Sequence, residues 1–251
     1  MDSKEHNKNI VEQFSKQAGG YTSITSHSDA LDKLIEISSA SKNDTVLDIA
    51  CGSGIVACEF AKHTHHVTGI DMTQGMLDEA KKLQSKQNIK NITWQIGDVE
   101  NLPYEDNSFS IAVSRFGFHH FLNPFKVLAE MKRVCAPNGI VLLVDVSVDD
   151  SKIRKYNKME KIRDCSHVAA LSIAEFATLF EKNVFKNLSA DFYLMKIELE
   201  EQLKASFPSD TDALKKMIIG DVGVNDLGIN VTKENDEYFL YYPIHIFSAR
   251  K

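Results

Sequence analysis

Short apolar runs alternate with amphipathic segments of helical spacing from about residue 28 to residue 150. The runs are rich in Val, Ile and Leu and predict buried strands. In chain order, the predicted strands are residues 45–50, 67–70, 92–96, 110–114 and 140–146. Strands that alternate with helices in this way are typical of a parallel sheet with helices on both faces, so we expect an α/β fold.

Polar residues and one proline mark where three helices should begin. Ser28 precedes an apolar helical face and is expected to cap it. Asn123 is a capping residue followed by Pro124, which suits a first helical turn. Ser172 and Glu175 have the spacing of a capping box.

The pattern changes after residue 149, where charged and polar segments separate two further strand-like runs. We expect one domain over residues 1–251, with a core at about 30–150 and final strands at 185–198 and 237–249. A helical lid is expected to cover a sheet edge, formed by residues 1–30, 150–172 and 199–236. The last of these segments is expected to be irregular apart from a short helix near residues 213–218.

The amino-acid composition limits the kinds of partner and the cellular compartment that we expect for this protein. The 251 residues carry 29 Lys and Arg against 35 Asp and Glu, a net charge of −6, and no basic stripe stands out. We therefore expect no nucleic-acid partner. No leader-like apolar stretch occurs in residues 1–40, and no run is long enough for stable membrane insertion. The four cysteines form no close pair and are expected to be reduced and buried in a cytoplasmic protein.

The sharpest chemical signal is the segment VLDIACGSG, in which a strand ends at two glycines before a helix. Gly52 and Gly54 allow a ligand to approach the backbone. Residues 52–57 also fit a dinucleotide fingerprint, which keeps a nicotinamide-dependent oxidoreductase as an alternative. Asp48 favours a cationic ligand over a pyrophosphate, because like charges repel. S-adenosylmethionine has an ammonium and a sulfonium and no phosphate. Alternatively, Asp48 could have a purely structural role, in which it caps the loop by accepting hydrogen bonds from backbone amides.

Two further acids follow the next two strands. Asp71, in GIDM, is placed to accept ribose hydroxyls, and Asp98, in GDV, is placed to accept the adenine amine. Met72 and Val99 could enclose the adenine ring. Acids at successive strand ends predict an acidic crevice, where open α/β sheets bind their ligands.

The ordered segments VLDIACGSG, GIDM, GDVENLPYEDNSFSIAVSRFGFHHF and APNGIVLLVD resemble the motifs of class I S-adenosylmethionine-dependent methyltransferases. The similarity covers about residues 40–150 and is greatest to the type-11 group, which includes ubiquinone and menaquinone biosynthesis methyltransferases. It implies a Rossmann-like, seven-stranded, mostly parallel sheet with a reversed final strand, and S-adenosylmethionine as cofactor.

The resemblance also implies roles for individual residues. Asp71 would bind the ribose, Asp98 and Val99 the adenine, and the methionine part would be met by Asp48, Gly52, Gly54, Ser114 and Arg115. Ala50 stands where many members have glycine, and stays among the expected cofactor-binding residues. The family's Asn/Asp-Pro-Pro-Tyr/Phe motif is replaced by Ser-Arg-Phe-Gly at 114–117, which favours a small-molecule acceptor over bases or glutamine amides.

Methyl transfer from an activated donor needs alignment more than a fixed catalytic group. A general base is needed only for a protonated acceptor, and the candidates are His119, His167 and Tyr21. The adjacent His119 and His120 should point in different directions, so no metal is expected. Aromatic and methionine residues in the lid suggest an apolar or aromatic acceptor. A non-catalytic S-adenosylmethionine-binding module stays open, as do the acceptor and the oligomeric state.

Overall fold

The structure is a computed structural model that describes residues 2–21 and 25–251. Its described part contains eight strands: β1 Thr45–Ile49, β2 His66–Asp71, β3 Ile92–Ile96, β4 Phe109–Arg115, β5 Cys135–Val146, β6 Lys186–Glu198, β7 Thr232–Glu234 and β8 Glu237–Arg250. The α-helices described are α1 Ser3–Tyr21, α2 Leu31–Ser38, α3 Ile55–His63, α4 Gln74–Lys86, α5 Pro124–Val134, α6 Asp150–Arg163, α7 Ile173–Lys182, α8 Leu199–Ser206 and α9 Thr211–Ile219.

All eight strands form one sheet with the order β3-β2-β1-β4-β5-β8-β6, and β7 pairs with β8. Strands β1 to β5 are parallel, whereas β8 runs antiparallel to both β5 and β6. The predicted Rossmann-like sheet with a reversed final strand is confirmed. The expected count of seven strands omitted β7, a three-residue hairpin partner of β8. The strand order reverses between β1 and β4, which is where open α/β sheets bind ligands.

Two hydrophobic clusters pack on the opposite faces of the sheet. Leu142 and Val144 belong to the cluster that α2, α3, α6 and α9 cover, whereas Leu143 belongs to the cluster covered by α5 and α7. This division follows from the strand, because successive side chains point to opposite faces. A sheet covered on both sides exposes its strand ends, so a ligand can reach the carboxyl edge.

Two of the three predicted helix starts are confirmed. The Asn123 side chain accepts a bond from the Lys126 amide with Pro124 at the first turn, and the capping box of Ser172 and Glu175 is complete. The prediction for Ser28 is wrong. Ser28 ends a 3₁₀ turn, Thr25–Ser28, and a left-handed Ala30 (φ 56°) intervenes before α2.

The expected lid segments contain two helices whose bounds the pattern does not give. Helix α1 packs against α4 and α8, and its polar composition and its Gly19-Gly20 pair weaken the helical signal. Helix α8 begins where residue 199 was expected to open an irregular stretch. Its first amides are held by the Glu198 side chain, which accepts from Glu200 and Glu201 at 2.8 and 2.9 Å.

The cysteine prediction is wrong at one position. Cys51, Cys58 and Cys135 are buried and free, but Cys165 is free and exposed. It lies just beyond the end of α6, where the chain turns at the surface. Separately, none of the helices in the described ranges combines the length and apolarity needed to cross a bilayer.

Candidate functional site

A cleft of about 340 Å³ opens at the carboxyl ends of β1 to β4. Ligand pockets commonly fall in this size range, and this edge is their expected place in an open α/β sheet. Seven of the predicted cofactor-binding residues line the cleft: Ala50, Gly52, Asp71, Met72, Asp98, Val99 and Arg115. The other three, Asp48, Gly54 and Ser114, lie behind its wall. One side is closed by α1, which lies in the first of the three segments expected to form the helical lid.

The loop between β1 and α3 turns through left-handed backbone at Ala50, Gly52 and Gly54, with φ of 54°, 51° and 78°. A Cβ on Gly52 would meet no protein atom within 4 Å, so it would project into open space. A Cβ on Gly54 would lie 2.6 Å from the Trp94 ring and 2.8 Å from the Ala80 Cβ. Only Gly52 therefore leaves room for a ligand, whereas Gly54 allows α3 to pack closely.

Asp71 joins this loop to the end of β2. Its Oδ2 accepts a hydrogen bond from the Gly52 amide at 2.9 Å, and its Oδ1 accepts one from the Thr73 amide at 2.8 Å. Burial raises the pKa of Asp71, against the effect of these backbone bonds. Each carboxylate oxygen has a further lone pair, so Asp71 can accept ligand hydroxyls while it holds the loop.

Asp48 is 1% exposed, and its Oδ2 has no hydrogen-bond partner in the described part of the chain. Burial raises the pKa of Asp48 to about 8; the charge of Asp71 adds to this shift, whereas the Ala57 amide and the charge of Arg115 oppose it only in part. A buried carboxylate with an unpartnered oxygen is costly unless positive charge lies nearby. The loop therefore suits a cationic ligand, as the sequence suggested.

The far end of the cleft combines Met72, Val99 and Asp98. Val99 is 4% exposed, and Asp98 is exposed with its Oδ1 accepting from the Glu100 amide at 2.9 Å. Asp98 thus forms a local turn and also lines the cleft. An apolar surface beside a carboxylate is suited to a ring that carries an amine.

Arg115, at the end of β4, is 8% exposed. Its guanidinium donates to the backbone oxygens of His27 and Asp29 and to the Tyr193 hydroxyl, the last two at 3.1 and 2.9 Å. It also lies 4.3 Å from the centroid of the Phe116 ring. Arg115 therefore fastens the turn before α2 to the sheet while it lines the cleft. Ser114 is fully buried, and its hydroxyl has no hydrogen-bond partner among the residues that the structure describes.

A second, smaller chamber of about 80 Å³ adjoins the cleft, and three residues line both: Phe14, Phe116 and His120. His119 lies in this inner chamber with its Nδ1 2.7 Å from Oδ1 of Asp145. Burial opposes protonation of His119, but the Asp145 carboxylate outweighs it, so the pKa of His119 is raised. A histidine held by a carboxylate through one nitrogen can exchange a proton through the other.

The rings of His119, His120 and His167 lie together, with centroids 4.1 Å apart for His119 and His120 and 5.5 Å apart for His119 and His167. The prediction that the adjacent His119 and His120 point in different directions is therefore wrong, but the hydrogen bonds of the three rings differ. His120 is buried against Ser166, and burial together with His119 lowers its pKa to about 3. His167 donates from Nε2 to Asn157 at 2.7 Å and lines neither cavity. Burial lowers the pKa of His167 strongly. Of the two base candidates whose side chains are described, His119 lines the inner chamber and His167 does not; the side chain of Tyr21 lies outside the described residues.

The acids of the inner chamber were not among the predicted site residues. Asp145, Glu160 and Asp164 line it and are each at most 2% exposed. Asp145 had a usable signal, because it interrupts the apolar run of β5, where a buried acid is rare and is a functional-site candidate. Glu160 and Asp164 lie at the end of a charged helix, where the sequence does not distinguish them from surface residues.

A family profile described as a methyltransferase domain matches residues 47–143. An uncharacterized methyltransferase of Bacillus subtilis, YcgJ, is 28% identical to this chain over 79% of it and 81% of YcgJ. The crystal structure of YcgJ superposes with a TM-score of 0.79 and 26% identity, and covers 90% of this chain and 98% of its own.

Two further similarities agree with this. The ubiquinone/menaquinone biosynthesis C-methyltransferase of Bdellovibrio bacteriovorus is 38% identical over 54% of this chain, which spans 61% of that protein. A crystal structure of a putative methyltransferase from Bacillus halodurans superposes with a TM-score of 0.78 at 27% identity, and covers 88% of this chain and 98% of its own.

Proposed function

We infer from these similarities that the chain is a class I S-adenosylmethionine-dependent methyltransferase, and we propose that it methylates a small molecule held in the inner chamber. The observation that carries the proposal is the pair of adjoining cavities. One is bordered by the glycine loop and Asp71, and the other contains the His119–Asp145 pair. Phe14, Phe116 and His120 line both cavities and form their common wall, and we infer that the two bound molecules would approach each other beside these residues.

The outer cleft fits S-adenosylmethionine by its own chemistry. The space in front of Gly52 admits a close ligand, and the carboxyl of Asp48 behind the cleft wall favours one that is positively charged. We assign the methionine part to the loop and Arg115, the ribose to Asp71, and the adenine to Asp98, Val99 and Met72. When bound, the cofactor supplies a methyl group activated by its sulfonium.

His119 is proposed as the general base. Asp145 holds the proton on Nδ1, which leaves Nε2 to take a proton from the acceptor. The same carboxylate stabilises the imidazolium that results, as the raised pKa of His119 indicates. A positioned base of this kind contributes roughly 10²–10⁴-fold in rate.

The lid contributes alignment and exclusion of water. His6 of α1 bonds through Nε2 to the backbone oxygen of His120 at 2.7 Å, which places α1 over the common wall. The Phe14 ring packs edge-on to His120, with the ring centroids 5.0 Å apart. Alignment in a closed site can supply a large part of the rate of methyl transfer.

The inner chamber also supports the choice of a small acceptor. Its volume, about 80 Å³, accommodates the reacting end of a small molecule, and the residues around it are buried. We further propose a cytoplasmic location, because the four cysteines are free and a reducing compartment preserves such thiols.

Calorimetry with S-adenosylhomocysteine tests the cofactor assignment, and NADH serves as the comparison for the oxidoreductase alternative. We expect saturable heat with the first and none with the second. No heat at millimolar S-adenosylhomocysteine, or tight binding of NADH, would contradict the proposal.

Turnover is tested with methyl-labelled donor and an ultrafiltered small-molecule extract. Label transferred into the small-molecule fraction, and lost in His119→Ala, supports the assignment. Label that enters only macromolecules would contradict a small acceptor. Absence of any transfer across chemically varied extracts would instead favour the non-catalytic binding module.

A further inference from the structure

Three polar side chains of the inner chamber have buried atoms without a hydrogen-bond partner in the described part of the chain. They are Oε1 of Glu160, Oε1 of Gln202 and the hydroxyl of Tyr242. The three residues are 2%, 6% and 4% exposed, so bulk water does not readily satisfy them. Buried polar atoms in native proteins are normally bonded, which makes this group a candidate ligand site.

The charge around these atoms is unbalanced. Asp145, Glu160 and Asp164 face two basic groups, Arg163 and the titrating ring of His119. Arg163 is already engaged, because its Nε donates to Oε2 of Glu160 at 2.7 Å. The chamber therefore carries net negative charge even when His119 is protonated.

The other acids are also occupied, which isolates one oxygen. Asp145 is bonded by His119, and Asp164 accepts from the Ser166 amide and the Gln17 side chain. Oε1 of Glu160 has no donor at hydrogen-bond distance in the described part of the chain, although the hydroxyl of Tyr242 lies close enough to interact with this carboxylate. It lines the same space as Oε1 of Gln202, so a ligand with N–H or O–H groups would find two acceptor oxygens there.

We propose that the methyl acceptor carries an ammonium group, which Glu160 and Gln202 receive inside this chamber. The inference rests on the proposed function, because it assumes that the chamber holds the acceptor. An ammonium has several N–H donors and no acceptor, which complements two unpartnered oxygens. The rings of Tyr156 and Tyr242 also line the space and provide faces that attract a cation.

The alternatives fit less well. A carboxylate or phosphate would be repelled by the three acids, and the one arginine is already paired. A neutral hydroxyl could bond either oxygen, but a hydrogen bond between two charged groups is stronger. The aromatic group that the sequence suggested for the acceptor is compatible with this proposal as the part of the molecule that bears the amine.

The test compares three probes of similar shape on the full chain saturated with S-adenosylhomocysteine: benzylamine, benzyl alcohol and benzoate. We expect benzylamine to bind at least about tenfold more tightly than benzyl alcohol, and benzoate not to bind. Equal or tighter binding of the alcohol or of benzoate would overturn the inference. Failure of all three probes to bind would overturn it as well.

Glu160→Gln removes the charge and keeps the shape, so we expect it to abolish the preference for benzylamine. Glu181→Gln, on the exposed surface of α7, is the matched control and should retain it. If Glu160→Gln fails to fold because Arg163 loses its partner, Gln202→Leu replaces it and should weaken benzylamine binding. An unchanged preference in the folded variant would overturn the inference.

The same titrations separate this inference from the proposed function. S-adenosylhomocysteine is added first, and its own heat reports the outer cleft. If that heat is absent, the proposed function fails; if it is present and the order of the probes is wrong, only the ammonium inference fails.

Discussion

His119 makes two hydrogen bonds to the carboxylate of Asp145: its ring Nδ1 lies 2.7 Å from Oδ1, and its backbone amide donates to Oδ2 at 3.2 Å. Asp145 therefore fixes both the orientation and the tautomer of the ring. The pair is built from β5 and the 3₁₀ turn Phe118–His120, which meet at the carboxyl edge of the sheet.

Replacement of His119 by alanine should lower kcat by roughly 10²–10⁴-fold, the usual contribution of a positioned base. Binding of S-adenosylhomocysteine should change little, because His119 lies in the inner chamber and not in the outer cleft. His63→Ala, at an exposed position of α3, is the control. A kcat unaffected by the loss of His119 would remove it from the reaction.

The pH dependence of kcat/KM should report the His119–Asp145 pair. His119 acts as a base only when neutral, and its pKa is raised above the ordinary 6.5, so activity should rise with pH through a midpoint above that value. In Asp145→Asn the carboxylate is lost while burial remains, so the midpoint should move to lower pH and the maximal rate should fall. An unmoved midpoint would show that another group titrates.

Binding of S-adenosylhomocysteine should release a proton. The pKa of Asp48 is raised to about 8 by burial, so most of this carboxyl is protonated at pH 7 in the free protein. The ammonium of the ligand favours the ionised form, so affinity should increase with pH until about pH 8. Calorimetry in buffers of different ionisation enthalpy counts the proton, and Asp48→Asn should release none.

Asp48 also has a consequence for stability in the absence of ligand. Because its pKa is higher in the folded than in the unfolded chain, the folded state loses stability as pH rises from 3.8 towards about 8. Asp48→Asn removes this effect, so its melting temperature relative to the original chain should increase with pH over that range. The opposite trend would contradict the burial of the charge.

The two loop glycines should respond differently to alanine. Gly54→Ala places a Cβ 2.6 Å from the Trp94 ring and should cost about 2–4 kcal/mol of folding stability. Gly52→Ala meets no protein atom, and its φ of 51° should cost only about 1–2 kcal/mol. It should nevertheless weaken S-adenosylhomocysteine binding by at least about tenfold, because the methyl group enters the cleft.

Asp71→Ala should weaken S-adenosylhomocysteine binding by about 1.5–3 kcal/mol, the scale of hydrogen bonds to a charged group. It also loses the bonds to the Gly52 and Thr73 amides, so the melting temperature should fall. Asp71→Asn can keep one of these two hydrogen bonds, so its melting temperature should fall less. Asp78→Ala, on the exposed face of α4, is the control. If Asp71→Ala left the affinity for S-adenosylhomocysteine unchanged, Asp71 would be excluded from the site.

The sheet and the outer cleft were largely predictable, because both arise from local sequence. The period of apolar residues reveals β1 to β5, and the acids at or near the carboxyl ends of β1, β2 and β3 identify the edge of the sheet at which these ends meet. The difference between Gly52 and Gly54 was not predictable. It depends on Trp94, which is forty positions from Gly54 in the chain.

The inner chamber could not be predicted for a related reason. Asp145, Glu160, Gln202 and Tyr242 come from β5, α6, α8 and β8, and only the tertiary fold brings them together. Asp145 gives a local signal because it interrupts an apolar strand, but Glu160 and Gln202 look like ordinary polar helix residues and Tyr242 looks like a core aromatic. Periodicity describes one element at a time, so it carries no information on which elements share a cavity.

The exposed thiol of Cys165 gives the molecule a built-in reporter position. Its Sγ lies 3.5 Å from Oε1 of Gln13 on α1, while the other three cysteines are buried. A maleimide dye would therefore attach at one place, beside the helix that closes the cleft. Burial and the charge of Asp164 raise the pKa of the Cys165 thiol, so the dye should couple fastest in mildly alkaline buffer. The emission of the dye would then report movements of α1 over the cleft without any engineered cysteine.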